Sequence, residues 1–117
     1  MPSNYYQASS AEYGKMSISK YVFLQIAEDS LESLAKNELK KDISLALPKG
    51  KKSVEVSILK DKIAVHIAVL SVRGSDVKKA ADTIQQEVYN DLYDATEISS
   101  IQVNVEVVGF VDAPKKA

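Results

Sequence analysis

The stretch SDVKKAADTIQQEVYNDLYDATEISSIQVNVEVVGF, residues 75–110, decides the fold, because two hydrophobic periods follow one another within it. Val77, Ala81, Ile84, Val88, Leu92 and Ala95 recur at steps of three and four, the period of a helix with one apolar stripe. Ser75 stands where an N-cap would accept from an unpaired amide, and Asp76 adds negative charge near the positive end of the helix dipole. Ile101, Val103, Val105 and Val107 then alternate with Gln102, Asn104 and Glu106, the period of a strand with one oily and one wet face. A helix and a strand that both turn an apolar side inward can build a core.

Upstream, Val54, Val56 and Ile58 alternate, Leu59–Lys62 can turn around Asp61, and Ile63, Val65, Ile67 and Val69 alternate again, which predicts a strand hairpin. Arg73 and Gly74 break it. Phe23, Ile26, Ala27, Leu31, Leu34 and Ala35 mark a helix from about Lys20, capped by Ser19, with Gln25, Glu28, Asp29 and Glu32 on its polar side. Gly14 opens a short strand before it, with Met16 and Ile18 facing one way and Lys15 and Ser17 the other. Between helix and hairpin, Leu39, Ile43 and Ala46 or Leu47 keep a four-residue step, predicting a short second helix that ends at Pro48, Lys49 and Gly50.

The order is strand, helix, short helix, strand, strand, helix, strand. It predicts a single α+β domain whose mainly antiparallel sheet is covered on one face by the two long helices, in a ferredoxin-like split βαβ arrangement. Its expected bounds are residues 13–111, with 1–12 a flexible tail carrying Tyr5 and Tyr6, and 112–117 a second flexible tail. The expected core is Ile18, Phe23, Ile26, Leu31, Val56, Ile58, Val65, Ile67, Ile84, Val88, Leu92, Val103 and Val105.

At 117 residues, 45% hydrophobic and 26% charged, the chain has room for one sizeable core and not for two. With no cysteine it can form no disulfide, thiolate metal site or cysteine nucleophile, and a reducing compartment is the simplest setting. A formal net charge of -1 gives no whole-molecule field that would collect nucleic acid. No run approaches the roughly 20 apolar residues of a membrane helix. Met1–Glu12 is polar rather than basic and then hydrophobic, so a cytoplasmic location is expected.

Catalytic signals are sparse. His66 is the single histidine, and so the one side chain whose ordinary pKa suits proton transfer near neutrality. Alternation places it opposite Ile63, Val65, Ile67 and Val69, with no cysteine or paired carboxylate at ligand spacing nearby. The four glycines form neither G-x-G-x-x-G nor G-x-x-x-x-G-K, and no serine sits in a G-x-S-x-G turn. No catalytic residue, cofactor or metal is expected from these signals.

Three surface features invite interaction instead. Around His66, the outward positions Ala64, Ala68, Leu70 and Val72 are apolar where a solvated sheet shows charge, so either the short helix carrying Leu39, Ile43 and Leu47 or a second molecule should cover them. Lys36, Lys40, Lys41, Lys49, Lys51 and Lys52 outnumber Glu38 and Asp42 in the connector, a local positive excess that suits reversible contact with anionic lipid. The last long helix runs against its dipole, with Lys78 and Lys79 at its start and Asp91, Asp94 and Glu97 near its end. That acidic end meeting the lysine-rich connector of another copy would build salt-sensitive chains or rings. Nucleic acid is disfavoured, because Tyr89 and Tyr93 lie on a helix and no aromatic alternates through the hairpin.

Several segments together resemble the bacterial alkaline shock, or envelope-stress-response, proteins. YGKMSIS at 13–19 is similar to the family's opening strand, residues 53–72 to its central hairpin, and IQVNVEVVG at 101–109 to its closing strand. The Arg73-Gly74 break before an Ala- and Val-striped helix is similar as well. Many members place a glycine-rich turn after the first helix, whereas Lys36–Ile43 reads here as continuing helix, similar to the short single-domain branch with a helical insertion. The resemblance implies a non-enzymatic cytoplasmic protein linked to the envelope, held at the membrane by a separate anchor protein or by self-association. The expected role is an interaction or scaffold module on the cytoplasmic side of the membrane, with a protein partner and a homo-oligomeric state. The rivals are a nucleic-acid-binding domain and a regulatory partner of a metabolic enzyme such as one of lipid synthesis.

Overall fold

In chain order the elements are β1 (Tyr5–Ser10), β2 (Gly14–Ser19), α1 (Lys20–Lys36), β3 (Ile43–Ser44), β4 (Val54–Ile58), β5 (Ile63–Val72), α2 (Val77–Thr96) and β6 (Ile101–Val111). The computed structural model describes residues 3–10, 14–60 and 62–113. Within it, the match in length between β5 and α2 organises the sheet. Ten residues of strand extend about 33 Å and twenty of helix about 30 Å, so α2 returns the chain to the start of β5 and β6 leaves beside it. The two strands pair in parallel from Ile63↔Ile101 to Val72↔Val111. One register shift after Val69↔Val107 leaves Val108 unopposed, and Leu70 faces Gly109.

The other edge of β5 is shared. β4 pairs with it antiparallel from Ile63 to Ile67, and β3 pairs antiparallel at Leu70 and Ser71. β1 and β2 form a separate antiparallel ladder from Tyr5↔Ser19 to Ser10↔Gly14. The domain is α+β, and most strand pairings are antiparallel, but the longest ladder is parallel. The ferredoxin-like order is not observed, because a split βαβ needs a strand between β5 and β6 and none lies there. The opening strand β2 stays outside the main sheet. Because β5 and β6 already pair with each other along their length, no edge is left between them for β2, which pairs with β1 as a two-stranded ribbon.

The N-terminal segment read as a tail therefore contributes β1 and is tied to the body. Ser3 N donates to Ile58 O at 2.8 Å, Lys20 N donates to Asn4 O at 2.7 Å, and the Tyr6 ring meets Phe23 edge-on with centroids 6.4 Å apart. The rest of the two expected tails (1–2, 11–12 and 114–117) and the turn residue Asp61 lie outside the described residues.

Both long helices pack on one sheet face. Phe23, Ala27 and Leu31 of α1, Ala80, Ile84, Val88 and Leu92 of α2, and Ile63, Val65, Ile67 and Val69 of β5 form one buried cluster. Of the expected core, Ile18, Ile26, Val56 and Val105 are half-buried at its margin, and the other nine residues are buried. On α2 the inner row runs through Ala80 rather than Ala81, and Ala95 is exposed. A straight four-residue ridge, 80-84-88-92, faces the sheet.

Ser19 caps α1, its Oγ accepting from Tyr21 N at 3.2 Å. The cap of α2 is Asp76 rather than Ser75: its carboxylate accepts from Lys79 N at 3.0 Å, while the Ser75 hydroxyl donates to Lys41 O at 3.3 Å. The expected short helix is a turn over residues 37–42 followed by β3. α1 closes when Asn37 N donates to Ser33 O and Leu39 N to Leu34 O, which turns Leu39 and Ile43 into the core. Pairing Ile43 with Ser71 then satisfies backbone that a helix would have satisfied internally.

Candidate interaction surface

His66 projects from the sheet face opposite the helices, and the parallel register supplies what its sequence neighbours lack. Ala68 pairs with Glu106, so the Glu106 carboxylate stands diagonal to His66, its Oε1 3.2 Å from His66 Nε2. Lys62 Nζ donates to Gln102 Oε1 at 3.0 Å, and Gln102 Nε2 to Asn104 Oδ1 at 3.2 Å, extending a polar row along β6. Glu55 lies opposite His66 on β4. The His66 and Glu106 side chains are 50% and 53% exposed, so water screens the pair. Among the described residues no three His, Asp or Glu side chains converge closely enough to hold a metal ion.

The apolar positions beside His66 are closed within the chain itself. Ala64 is half-buried, and Ala68, Leu70 and Val72 are buried. Leu70 lies across β6, where its Cδ2 would stand 3.1 Å from a Cβ placed on Gly109. The expectation that Leu39 and Ile43 cover this face is overturned, because both belong to the core on the helix side.

The connector lysines are all exposed: Lys36, Lys40, Lys41, Lys49, Lys51 and Lys52. Lys36 bonds Glu32 at 2.9 Å one turn back along α1. Lys40 and Lys41 sit in the turn that leads to β3, at the Val72 end of β5, whereas Lys51 and Lys52 lead into β4 beside Ile67. Four residues of β5, about 13 Å, separate the two groups, so they form two small basic sites rather than one.

Asp91, Asp94 and Glu97 are exposed at the end of α2. The fold adds Asp29 to them: a shallow groove of about 460 Å³ between the helices is lined by Asp29, Ser30, Asp91 and Asp94. Sequence reasoning places Asp29 only on a polar face, since the facing of α1 toward α2 is set by packing. Tyr89 and Tyr93 stack on α2 with centroids 6.3 Å apart, and Tyr89 donates its hydroxyl to Ser99 O at 3.2 Å.

A further concavity joins two of the connector lysines to residues that the sequence does not single out as a site. An open groove of about 660 Å³ runs between α1 and β4, lined among others by Lys20, Tyr21, Leu24, Lys51, Lys52 and Val56. Its signal in the sequence is the Lys51–Lys52 pair of the connector, whereas Lys20, Tyr21 and Leu24 join it only through the fold. No helix among the described residues is long and apolar enough to cross a membrane. No curated protein and no solved structure gives a match. A sequence model of the alkaline shock protein 23 family, described as having a cell envelope-related function, matches residues 8–111.

Proposed function

Because the chain belongs to the alkaline shock protein 23 family, with its cell envelope-related function, we propose that it works as a non-enzymatic interaction module on the cytoplasmic side of the membrane. It is held there by a protein partner and presents surfaces rather than turning over a substrate. The family match over residues 8–111 carries the envelope part. The interaction part is supported by what the surface offers: two groups of exposed lysines, an acidic groove between the helices, and an open cleft beside a sheet edge. Two small lysine groups, at about 1 kcal/mol per lysine near an anionic surface, give reversible attachment at most, so a lasting hold calls for a protein.

Sedimentation with membranes tests this. The tagged protein is expected to pellet with native bacterial membrane vesicles and to stay in solution when the vesicles are first stripped with protease. Pelleting with protein-free anionic vesicles to the same extent would replace the protein partner with lipid. Retention on oligonucleotides, or capture by one soluble enzyme with no membrane association, would overturn the proposal.

A further inference from the structure

Among the described residues, the side of β4 that faces away from β5 carries backbone groups with no strand beside them. Three hydrogen bonds identify these groups: Ala68 N donates to Ser53 O at 2.9 Å, Leu59 N to Lys62 O at 2.8 Å, and Ser3 N to Ile58 O at 2.8 Å. Alternate residues of an antiparallel strand direct both N–H and C=O at the partner. Ser53, Glu55, Ser57 and Leu59 therefore serve β5, while Val54, Val56 and Ile58 point outward. Ser3 meets Ile58 in an antiparallel bridge, after which the chain departs into β1. Among the described residues no strand pairs with Val54 or Val56 on that side.

This edge borders the cleft with α1. Its lining is mixed: Tyr21, 67% exposed, and half-buried Leu24 and Val56 offer an apolar strip among charged and polar side chains. Its rim carries three lysines, Lys20, Lys51 and Lys52, against two glutamates, Glu28 and Glu55, with Lys51 and Lys52 together just before β4. The Ser3 bridge shows that the edge accepts a strand, and in which direction.

We infer that β4 and the flank of α1 form a docking site for an extended acidic segment of a partner protein, which joins the sheet as an antiparallel strand beside Val54 and Val56. The inference rests on the interaction-module function and names the place and chemistry of one contact. Opposed residues of an antiparallel pair share a face, so the partner's side chains across from Val54 and Val56 point toward α1 and are apolar, fitting Leu24 and Tyr21. Continuing in the direction of the Ser3 bridge, the segment reaches Lys51 and Lys52 at its C-terminal end, where its acidic residues belong. A lipid surface offers no strand to pair with these amides.

The test is a titration of the full chain, labelled with nitrogen-15, with a synthetic heptapeptide of alternating valine and threonine ending in two glutamates. Its counterpart ends in two lysines. Chemical-shift changes and slowed exchange are expected at the Val54 and Val56 amides, with the acidic peptide binding about fivefold to tenfold tighter, the amount two partly exposed ion pairs provide. Val56→Pro removes an outward N–H that β5 does not use, so the rest of the spectrum should persist while binding is lost. Should that variant fail to fold, Lys51→Glu combined with Lys52→Glu is expected to invert the peptide preference. Shifts absent from Val54 and Val56, equal binding of both peptides, or the same perturbation from phosphatidylglycerol vesicles would each overturn the site. Membrane sedimentation through a protein, without peptide shifts, would remove this site and leave the interaction module standing; peptide binding without sedimentation would do the reverse.

Discussion

Glu97 ends α2 in a conformation that L residues avoid: its φ is 59°, and its N–H closes the helix on Tyr93 O at 2.7 Å. Glycine is the usual occupant of such a position, and an acidic side chain there also faces the negative end of the dipole. Glu97→Gly relieves both, and a gain of about 1 kcal/mol in urea unfolding is expected. A loss of stability would mean that the Glu97 side chain holds the helix end through a contact of its own. Residue-level features are legible in the sequence when they are local. Ser19 caps α1 as its position suggests. Ser75 and Asp76 are equally able caps one residue apart, and the choice falls to Asp76 because the Lys41 carbonyl engages Ser75 from 34 positions away. Glu106 is invisible as the partner of His66 for the same reason, since only strand register brings them together.

Among the elements, the helix stripe and the closing strand are the most legible. Ile84, Val88 and Leu92 are fully buried, and at the start of β6 buried Ile101 and Val103 flank exposed Gln102, with Val105 and Val107 half-buried beyond them. Ile84→Ala should cost about 2 to 5 kcal/mol, a large share of a small domain's stability, measured by thermal or chemical unfolding. An unchanged midpoint would mean that α2 does not seat Ile84 in the core. The direction of β6 is less apparent, because alternation is the same in parallel and antiparallel strands. The lengths of β5 and α2 carry that information, since a twenty-residue helix has just the reach to bring the chain back. The connector defeats periodicity outright: a four-residue step through Leu39 and Ile43 fits a helix, but here it fits a turn and an edge bridge that send both residues to the same core.

At the scale of the molecule, one α+β core with both helices on a single face follows from the apolar pattern, and the family follows from the order of its segments. The interaction surface is less legible, because it is assembled from residues distant in sequence. Asp29 joins Asp91 and Asp94 only once the helices pack, and Lys20 joins Lys51 and Lys52 only once α1 lies along β4. The apolar positions Ala68 and Leu70, which alternation places outside, are used up inside the fold, leaving charge and a free strand edge to make contacts. Amide hydrogen exchange of the protein alone and bound to native membrane vesicles is the most direct measurement of whether these surfaces do the work. Slower exchange is predicted in the connector from Lys36 to Lys52 and at the free edge of β4, with the β5 amides unchanged. Exchange that is identical in the two states, or protection confined to β6, would contradict it.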